Sequence, residues 1–233
     1  MIKFANTHVT GMDTAIRSMR MPLQSFNKSD SHWDGFFDEY VDEYPFTIGP
    51  NDLDLAHRLL SNNDADSKFL RSIQVYTEIT APMYFLAEFD TYKIGTVRNS
   101  SSLQHTGAKR DYHINDFSID DLKFTNDSEY EMVRDTWGHV LDTINFLRKK
   151  YKETNDYRYF RLMRQLMPSG YEYFISWTAN YQVLRTMYFQ RVVQKHRLTE
   201  WSEDFKEFVE SLPYARDLIT YQPNKIKEEY SNG

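Results

Sequence analysis

A segment of alternating residues leads directly into an apolar segment near residue 80. Residues 72–79 alternate between apolar and polar types, which predicts a half-buried β-strand. Ala81-Pro82 then opens the apolar segment Met83–Phe89, and proline suits the first turn of a helix. A strand that passes into a helix within a few residues indicates a domain that combines both kinds of structure.

Apolar residues recur at helical spacing elsewhere in the chain. The clearest long helix is predicted over residues 129–150, and another over 180–194. Further helices are predicted at 13–19, 51–60, 157–166 and 199–211, a second strand at 171–178, and loops at 25–44 and 99–118. This order is typical of an α/β or α+β fold, with a small sheet flanked by helices.

The composition indicates one ordered domain. The chain has 233 residues, of which 40% are hydrophobic and 16% aromatic, with only 8 glycines and 7 prolines. No linker or internal repeat divides it. We predict a single domain over residues 1–222, followed by a charged tail at 223–233 that is frayed.

Charge and residue usage exclude several functions. A formal net charge of -6 argues against a nucleic-acid partner, since duplex binders carry a basic excess. The absence of cysteine excludes disulfides, thiolate metal sites and a cysteine nucleophile. No segment has the roughly 20 apolar residues that span a bilayer. We predict a cytoplasmic protein without a membrane partner. The seven histidines show no metal-ligand spacing, so no metal is predicted.

Two blocks of the sequence resemble flavin-dependent thymidylate synthases. In the first, Ala81-Pro82 leads without a gap into Thr91-Tyr92-Lys93, then seven residues, then Ser101. The family has Ala-Pro, a helix, the signature R-H-R, seven residues and serine. The second block, Met167-Pro168, Trp177-Thr178-Ala179-Asn180 and Arg191, is similar to the family's L-P, W-T-V-N and downstream arginine at the same offsets.

The resemblance implies a flavin-dependent thymidylate synthase-like fold and a homotetramer with active sites between subunits. It also implies that the protein binds dUMP, a pyrimidine nucleotide, and FAD, with a reduced folate and NADPH as further reactants. The family transfers a methylene group to dUMP to give dTMP and takes the hydride from reduced flavin. It needs no protein nucleophile, which agrees with the absence of cysteine.

The resemblance also assigns roles to individual residues. Arg191 matches the arginine that binds and polarises the uracil, which makes it the catalytic residue. Further nucleotide contacts are assigned to Ser101, Glu88 and Asn99, and flavin contacts to Lys93, Asn180, Tyr92 and Thr91. At 100° per residue, Asn180 and Arg191 share one helix face, because eleven residues return to nearly the same angle.

Several positions depart from the family pattern. Thr91 and Tyr92 stand where the signature has arginine and histidine, and Lys93 keeps the charge of the last arginine without its planar fork. Leu103 and Phe174 stand where two further arginines are expected. Glu88 replaces a glutamine. These changes remove cationic contacts to a phosphate.

Each assigned residue has a structural explanation as well. Arg191 could extend from a packed helix to solvent, and Asn180 is equally suited to cap its helix. Ser101 lies in a polar run, and Tyr92 suits a core or an interface. The leading hypothesis is a divergent member of the family that binds a pyrimidine nucleotide. The alternatives are a catalytically silent protein, of viral or mobile-element type, that binds or sequesters a nucleotide or another protein, and a flavoenzyme acting on another uracil-type substrate.

Overall fold

The computed structural model describes residues 1–34, 46–62, 65–121 and 127–223. Its strands in these ranges are β1 Lys3–Thr10, β2 His32–Trp33, β3 Phe46–Thr47, β4 Gln74–Pro82, β5 Val97–Ser100 and β6 Glu172–Asn180. Four of them form one sheet in the order β1-β4-β6-β5, and β2 pairs antiparallel with β3. The predicted mixed fold with a small sheet is confirmed.

Helices account for most of the remaining described chain. The α-helices are α1 Met12–Arg20, α2 Pro50–Asn62, α3 Met83–Phe89, α4 Leu103–Thr106, α5 Asp127–Thr154, α6 Tyr157–Gln165, α7 Tyr181–Met187 and α8 Lys206–Ser211. Three π-helical segments occur at Tyr188–Val193, Glu200–Phe205 and Ala215–Ile219. Every predicted helix has a counterpart among these elements.

The predicted strand-to-helix step is present. Strand β4 ends at Pro82, which is the N-cap of α3 in extended backbone conformation, so the chain turns from strand to helix within one residue. The two predicted strands correspond to β4 and β6, which are neighbours in the same sheet. Both predicted strands therefore belong to the one small sheet that the sequence predicted.

The described chain forms two compact units. The first comprises Met1–Ala5, Glu78–Thr91 and Arg98–Ser176. Its core joins α5 and α6, and contains Tyr112, Phe117, Ile144, Leu147, Phe160, Met163 and Met167. The helical members of this core come from turns of α5 and α6 that lie on one apolar face, as amphipathic helices require. Asn145 of α5 further donates to Tyr112 O and accepts from Tyr112 N, at 2.9 and 2.8 Å.

The second unit comprises Asn6–Thr77, Tyr92–Val97 and the described part of Trp177–Gly233. Its fully buried side chains include Ile16, Leu70, Tyr181 and Trp201. The backbone N–H of Tyr181 donates to Ile73 O at 3.1 Å, and its hydroxyl donates to Pro213 O at 2.7 Å. The first residue of α7 is therefore anchored at both its backbone and its side chain.

A buried ion pair joins α1 to α2 in the second unit. Arg20 Nε donates to Asp52 Oδ1 at 2.7 Å, and both side chains are at most 5% exposed. The hydroxyls of Ser29 and Ser31 donate to Asp52 Oδ2 at 2.7 and 2.6 Å. Burial by itself raises the pKa of Asp52, but the hydrogen bonds from Ser31, Ser29 and Arg20 and the charge of Arg20 outweigh it, so this pKa lies below its ordinary value.

Three features differ from the sequence prediction. Strand β1 had no predicted counterpart, and β5, α4 and a 3-10 turn at Ile114–Asp116 interrupt the predicted loop 99–118. The predicted loop 25–44 contains β2 and a 3-10 turn at Phe26–Lys28, and its remainder from residue 35 lies outside the described residues. Of the predicted tail, only Pro223 is described.

The prediction of a single domain over residues 1–222 remains a prediction. In the described ranges, no helix combines the length and the apolar character needed to cross a bilayer. The cytoplasmic location likewise remains a prediction.

Candidate functional site

The segment Tyr92–Val97, called here the signature loop, belongs to the second unit. Thr96 Oγ1 donates to Tyr92 O at 2.6 Å, which closes the loop on itself. Gly95 has a φ of +77°, in the region that favours glycine. A Cβ at Gly95 would lie 2.8 Å from Asn180 Nδ2 and 3.1 Å from Val183 Cγ2. The backbone of the signature loop therefore packs directly on the start of α7.

Asn180 ends β6 and is the N-cap of α7. Its Oδ1 accepts a hydrogen bond from Val183 N at 3.0 Å, and the residue is 8% exposed. Asparagine is favoured at this position because its side-chain oxygen satisfies a backbone N–H that has no partner within the helix. The structural explanation for Asn180 is confirmed, and its assigned contact with flavin remains a prediction.

Arg191 lies between two aromatic rings of the second unit. Its Nε donates to Tyr92 Oη at 3.0 Å. Its Cζ lies 5.6 Å from the ring centroid of Tyr92 and 5.2 Å from that of Trp201. Both distances are within the range of a cation–π interaction, which contributes about 0.5–2 kcal/mol. Arg191 is therefore held by the protein, and the alternative that it simply extends into solvent does not describe it.

The hydroxyl of Tyr92 both accepts and donates a hydrogen bond. It accepts from Arg191 Nε and donates to Gln190 Oε1 at 2.9 Å. The rings of Tyr92 and Trp201 meet edge to face, with centroids 6.2 Å apart. Gln190, Arg191 and Trp201 thus surround the first residue of the signature loop.

The winding of the chain before Arg191 differs from the predicted regular helix. After α7 ends at Met187, the chain continues as the π-helical segment Tyr188–Val193. In a helix with i→i+5 hydrogen bonds, successive residues are rotated about the helix axis by less than 100°. The face predicted to be shared by Asn180 and Arg191 assumes α-helical winding over all eleven residues, and it remains a prediction. Such segments are frequent at functional sites.

The tip of the signature loop is open to solvent. Lys93 is exposed, and in the described part of the chain its ammonium has no ion-pair partner. Ile94 is 91% exposed and Val97 is 65% exposed. These two apolar side chains lie close in sequence to the cation of Lys93.

The remaining predicted residues belong to the first unit. Ser101 and Asn99 are exposed, and Ser101 N donates to Phe174 O at 2.8 Å. Thr91 Oγ1 donates to the backbone oxygen of Glu88 at 2.7 Å, at the end of α3. Among the predicted residues of the first unit, Thr91 and Glu88 are therefore in contact with each other.

The two positions of the first unit where the family has an arginine carry no cation in this chain. Leu103 is buried, at 5% exposure, and Phe174 is 49% exposed on β6. The nearby Arg98 is paired with Asp90. Both family positions are therefore without charge.

The sequence motifs did not identify Gln190, Trp201 or Gly95. Gln190 and Trp201 follow no motif, and each lies about 100 residues from Tyr92 in the sequence. A glycine inside the signature spacing was the one available signal, since isolated glycines often mark a close backbone approach. Among the described residues, no group of three or more histidine, aspartate or glutamate side chains is placed to hold a metal ion.

Solved structures of known proteins resemble this chain. A crystal structure of thymidylate synthase X from Helicobacter pylori with FAD and dUMP matches with a TM-score of 0.62 and 20% identity, over 94% of this chain and 97% of that one. A second, of flavin-dependent thymidylate synthase ThyX from Helicobacter pylori with the same two ligands, has the same TM-score and identity, over 93% and 97%. No family model and no curated protein matches the sequence. The chain therefore shares the fold of flavin-dependent thymidylate synthases.

Proposed function

We propose that this protein binds a pyrimidine nucleotide and that Arg191 contacts the uracil ring. The observation that carries the proposal is the contact of Arg191 with the signature loop, through the 3.0 Å hydrogen bond to Tyr92. Each of these residues belongs to one of the two sequence blocks that resemble the family, so the contact joins the two blocks. The two Helicobacter pylori ThyX structures of this fold contain dUMP, which supports a pyrimidine nucleotide as the ligand class.

The guanidinium of Arg191 suits a uracil carbonyl oxygen. A guanidinium carries five N–H donors, and the Nε of Arg191 donates to Tyr92. A hydrogen bond from a charged donor contributes about 1.5–3 kcal/mol, and a guanidinium next to O2 or O4 also stabilises negative charge on the ring. Arg191 would therefore both bind the base and polarise it.

The resemblance assigns further nucleotide contacts to Ser101, Asn99 and Glu88, and we propose these contacts independently of that of Arg191. Ser101 offers a hydroxyl and Asn99 an amide, and both side chains are exposed. Glu88 carries the wrong charge for a phosphate, so its proposed partner is a hydroxyl or an N–H of the nucleotide. Because Leu103 and Phe174 stand where the family has arginines, base recognition would provide more of the affinity than phosphate recognition.

FAD is the cofactor that the fold implies, and three of its four predicted partners fit it poorly. Tyr92 Oη is committed to Gln190 and Arg191, and Asn180 Oδ1 caps α7. Thr91 Oγ1 donates to the backbone oxygen of Glu88. Flavin binding through these groups requires each of them to exchange a protein partner for the cofactor. The proposed function therefore contains no step that depends on flavin.

The second candidate function is methylation of dUMP to dTMP with FAD, a reduced folate and NADPH. One observation favours it. Lys93 is exposed without an ion-pair partner in the described ranges, so it is available to a pyrophosphate at the last signature position. Without flavin, the protein would be a catalytically silent nucleotide binder.

Two measurements separate these functions. Isothermal titration of the purified protein with dUMP is expected to give saturable binding, whereas dAMP, which has the same phosphate but a purine base, should bind at least about tenfold more weakly. Equal affinity for both nucleotides would contradict base recognition. The absorbance spectrum of the protein, recorded as purified and again after incubation with FAD and removal of the free FAD, then decides between binder and enzyme. A retained flavin spectrum favours the enzyme, and a colourless protein favours the binder.

A further inference from the structure

We propose that Tyr92 and Trp201 form an aromatic clamp that fixes the guanidinium of Arg191, so that Tyr92 is a positioning residue for Arg191 and not a contact of the cofactor. The role of Arg191 in this proposal rests on the proposed pyrimidine binding. The clamp itself rests on geometry within the second unit, and it is tested separately from the ligand.

The geometry constrains Arg191 in three independent ways. The hydroxyl of Tyr92 holds Nε at 3.0 Å, which sets the direction of the guanidinium plane. The two rings lie 5.6 and 5.2 Å from Cζ and limit its movement on two sides. The π-helical segment Tyr188–Val193 determines where the side chain leaves the backbone.

The two rings are themselves anchored. Trp201 is fully buried and packs edge to face on Phe205, with ring centroids 5.1 Å apart. Tyr92 is anchored by its hydrogen bond to Gln190 and by the Thr96 bond that closes the signature loop. A clamp made of anchored groups keeps the guanidinium in one orientation before any ligand arrives.

A fixed arginine binds more tightly than a mobile one because ordering a long side chain on binding is unfavourable. Losing this preorganisation is expected to weaken ligand binding about two- to twelvefold. A phenylalanine at position 92 keeps the ring but loses the hydroxyl, whereas a leucine loses both. The expected order of dUMP affinity is therefore wild type, then Tyr92→Phe, then Tyr92→Leu.

The test is a double-mutant cycle with three measurements: urea unfolding without ligand, titration with dUMP, and uptake of FAD. Its members are wild type, Tyr92→Phe, Arg191→Ala and the double variant. The matched control is Tyr157→Phe, because Tyr157 also donates its hydroxyl to a glutamine oxygen, that of Gln104 at 3.4 Å. Tyr157 is far from Arg191 in the sequence and belongs to the first unit.

The clamp predicts that Tyr92→Phe shifts the urea midpoint in the wild-type background and shifts it much less when Arg191 is alanine. It also predicts a loss of dUMP affinity of about two- to twelvefold that disappears in the Arg191→Ala background. Tyr157→Phe should leave dUMP affinity unchanged. A purely structural role of Tyr92 would lower stability equally in both backgrounds.

Three results would overturn the proposal. Equal shifts of the urea midpoint in both backgrounds would show that Tyr92 does not hold Arg191. Coupled unfolding with unchanged dUMP affinity would remove the positioning role. Loss of FAD uptake on Tyr92→Phe in both backgrounds would make Tyr92 a cofactor contact. If wild type binds no dUMP, the proposed function fails, and the unfolding cycle still shows whether the clamp exists.

Discussion

The backbone of Gly95 lies so close to the side chain of Asn180 that a Cβ at position 95 would be 2.8 Å from Asn180 Nδ2. The two residues are separated by 85 positions, yet one belongs to the signature loop and the other caps α7. This approach sets the position of the loop relative to the helix from which Arg191 follows.

Gly95→Ala is therefore expected to destabilise the protein. The φ of +77° costs an L-residue about 1–2 kcal/mol, and the added methyl group forces the loop or Asn180 to move. The melting temperature should fall by about 2–8 °C. Gly138→Ala is the matched control: Gly138 lies inside α5 with nothing within 4 Å of an added Cβ. That variant should gain about 0.5–1 kcal/mol, and a loss as large as that of Gly95→Ala would contradict the close packing of Gly95.

Much of the fold was predictable because its main elements carry strong local patterns. The segment Met83–Phe89 is a helix with the predicted bounds, and β4 alternates between buried and more exposed residues. Strand β1 gave no such signal. It is first in the strand order of its sheet, and most of its side chains are exposed. Its sequence therefore shows no alternation of apolar and polar residues that would predict a strand.

The site was less predictable than the fold. The contact of Tyr92 with Arg191 joins residues 99 positions apart, and the π-helical segment before Arg191 changes which residues meet. Helix periodicity contains no information on either feature, because it describes one regular helix at a time. Asn180 shows the reverse case, since its capping role follows from local chemistry that the sequence displays.

The buried ion pair predicts that substitutions of two aspartates of α2 differ greatly in the stability they cost. Asp52→Asn leaves the buried Arg20 guanidinium without its anionic partner and should lower the free energy of unfolding by about 3–5 kcal/mol. Asp54→Asn removes the exposed pair of Asp54 with Arg58, whose side chains are 69% and 66% exposed, and should cost about 0.5 kcal/mol or less. Urea unfolding at neutral pH measures both. Similar losses for the two variants would contradict the burial of Asp52.

The lowered pKa of Asp52 also predicts how the stability of the protein depends on pH. Its folded pKa lies below the unfolded value of about 3.9, so its contribution is present above that pH and is lost as the pH falls through the folded pKa. Wild type should therefore lose stability more steeply than Asp52→Asn as the pH falls below about 4. Asp54→Asn should follow the wild-type curve. Parallel curves for wild type and Asp52→Asn would show that Asp52 is not stabilised by its hydrogen bonds.

An arginine at position 174 is expected to restore a cation that can bind a phosphate. Phe174 is 49% exposed and its backbone oxygen accepts from Ser101 N, so an arginine at position 174 can reach solvent beside Ser101. Phe174→Arg should raise dUMP affinity by up to about fivefold and leave deoxyuridine affinity unchanged. Phe174→Leu controls for loss of the ring. An equal gain for deoxyuridine would show that the arginine does not act on the phosphate.

Leu103 stands at the other position where the family has an arginine, and an arginine there is expected to have a different effect because the position is buried. Leu103 is 5% exposed, so Leu103→Arg places a charge without a partner in the first unit and should lower stability by about 3–5 kcal/mol. Thermal unfolding measures the change. A stable Leu103→Arg variant with higher dUMP affinity would contradict the burial of this position.

The resemblance predicts a homotetramer, and the signature loop offers a reason for association. Ile94 and Val97 are 91% and 65% exposed, and burying such side chains against another copy is favourable. Light scattering at micromolar concentration should give about 112 kDa, four times 27.9 kDa. Ile94→Asp should reduce the assembled fraction, whereas Met132→Asp, at an exposed residue of α5, should not. A monomer mass for wild type would contradict the prediction.

The central claim is that Arg191 recognises the uracil ring, and titration with dUMP tests it most directly. Arg191→Ala should weaken dUMP binding about ten- to a hundredfold, because a charge-assisted hydrogen bond of about 1.5–3 kcal/mol is lost. Arg197→Ala is the control, since Arg197 is exposed on the same part of the chain. Arg185 is less suitable because it donates to the backbone oxygens of Ile219 and Tyr221.

The measurement is isothermal titration of wild type, Arg191→Ala and Arg197→Ala with dUMP, after circular dichroism has shown that all three are folded. Recognition of uracil by Arg191 predicts a large loss of affinity for Arg191→Ala and wild-type affinity for Arg197→Ala. Equal affinity of wild type and Arg191→Ala for dUMP would contradict it.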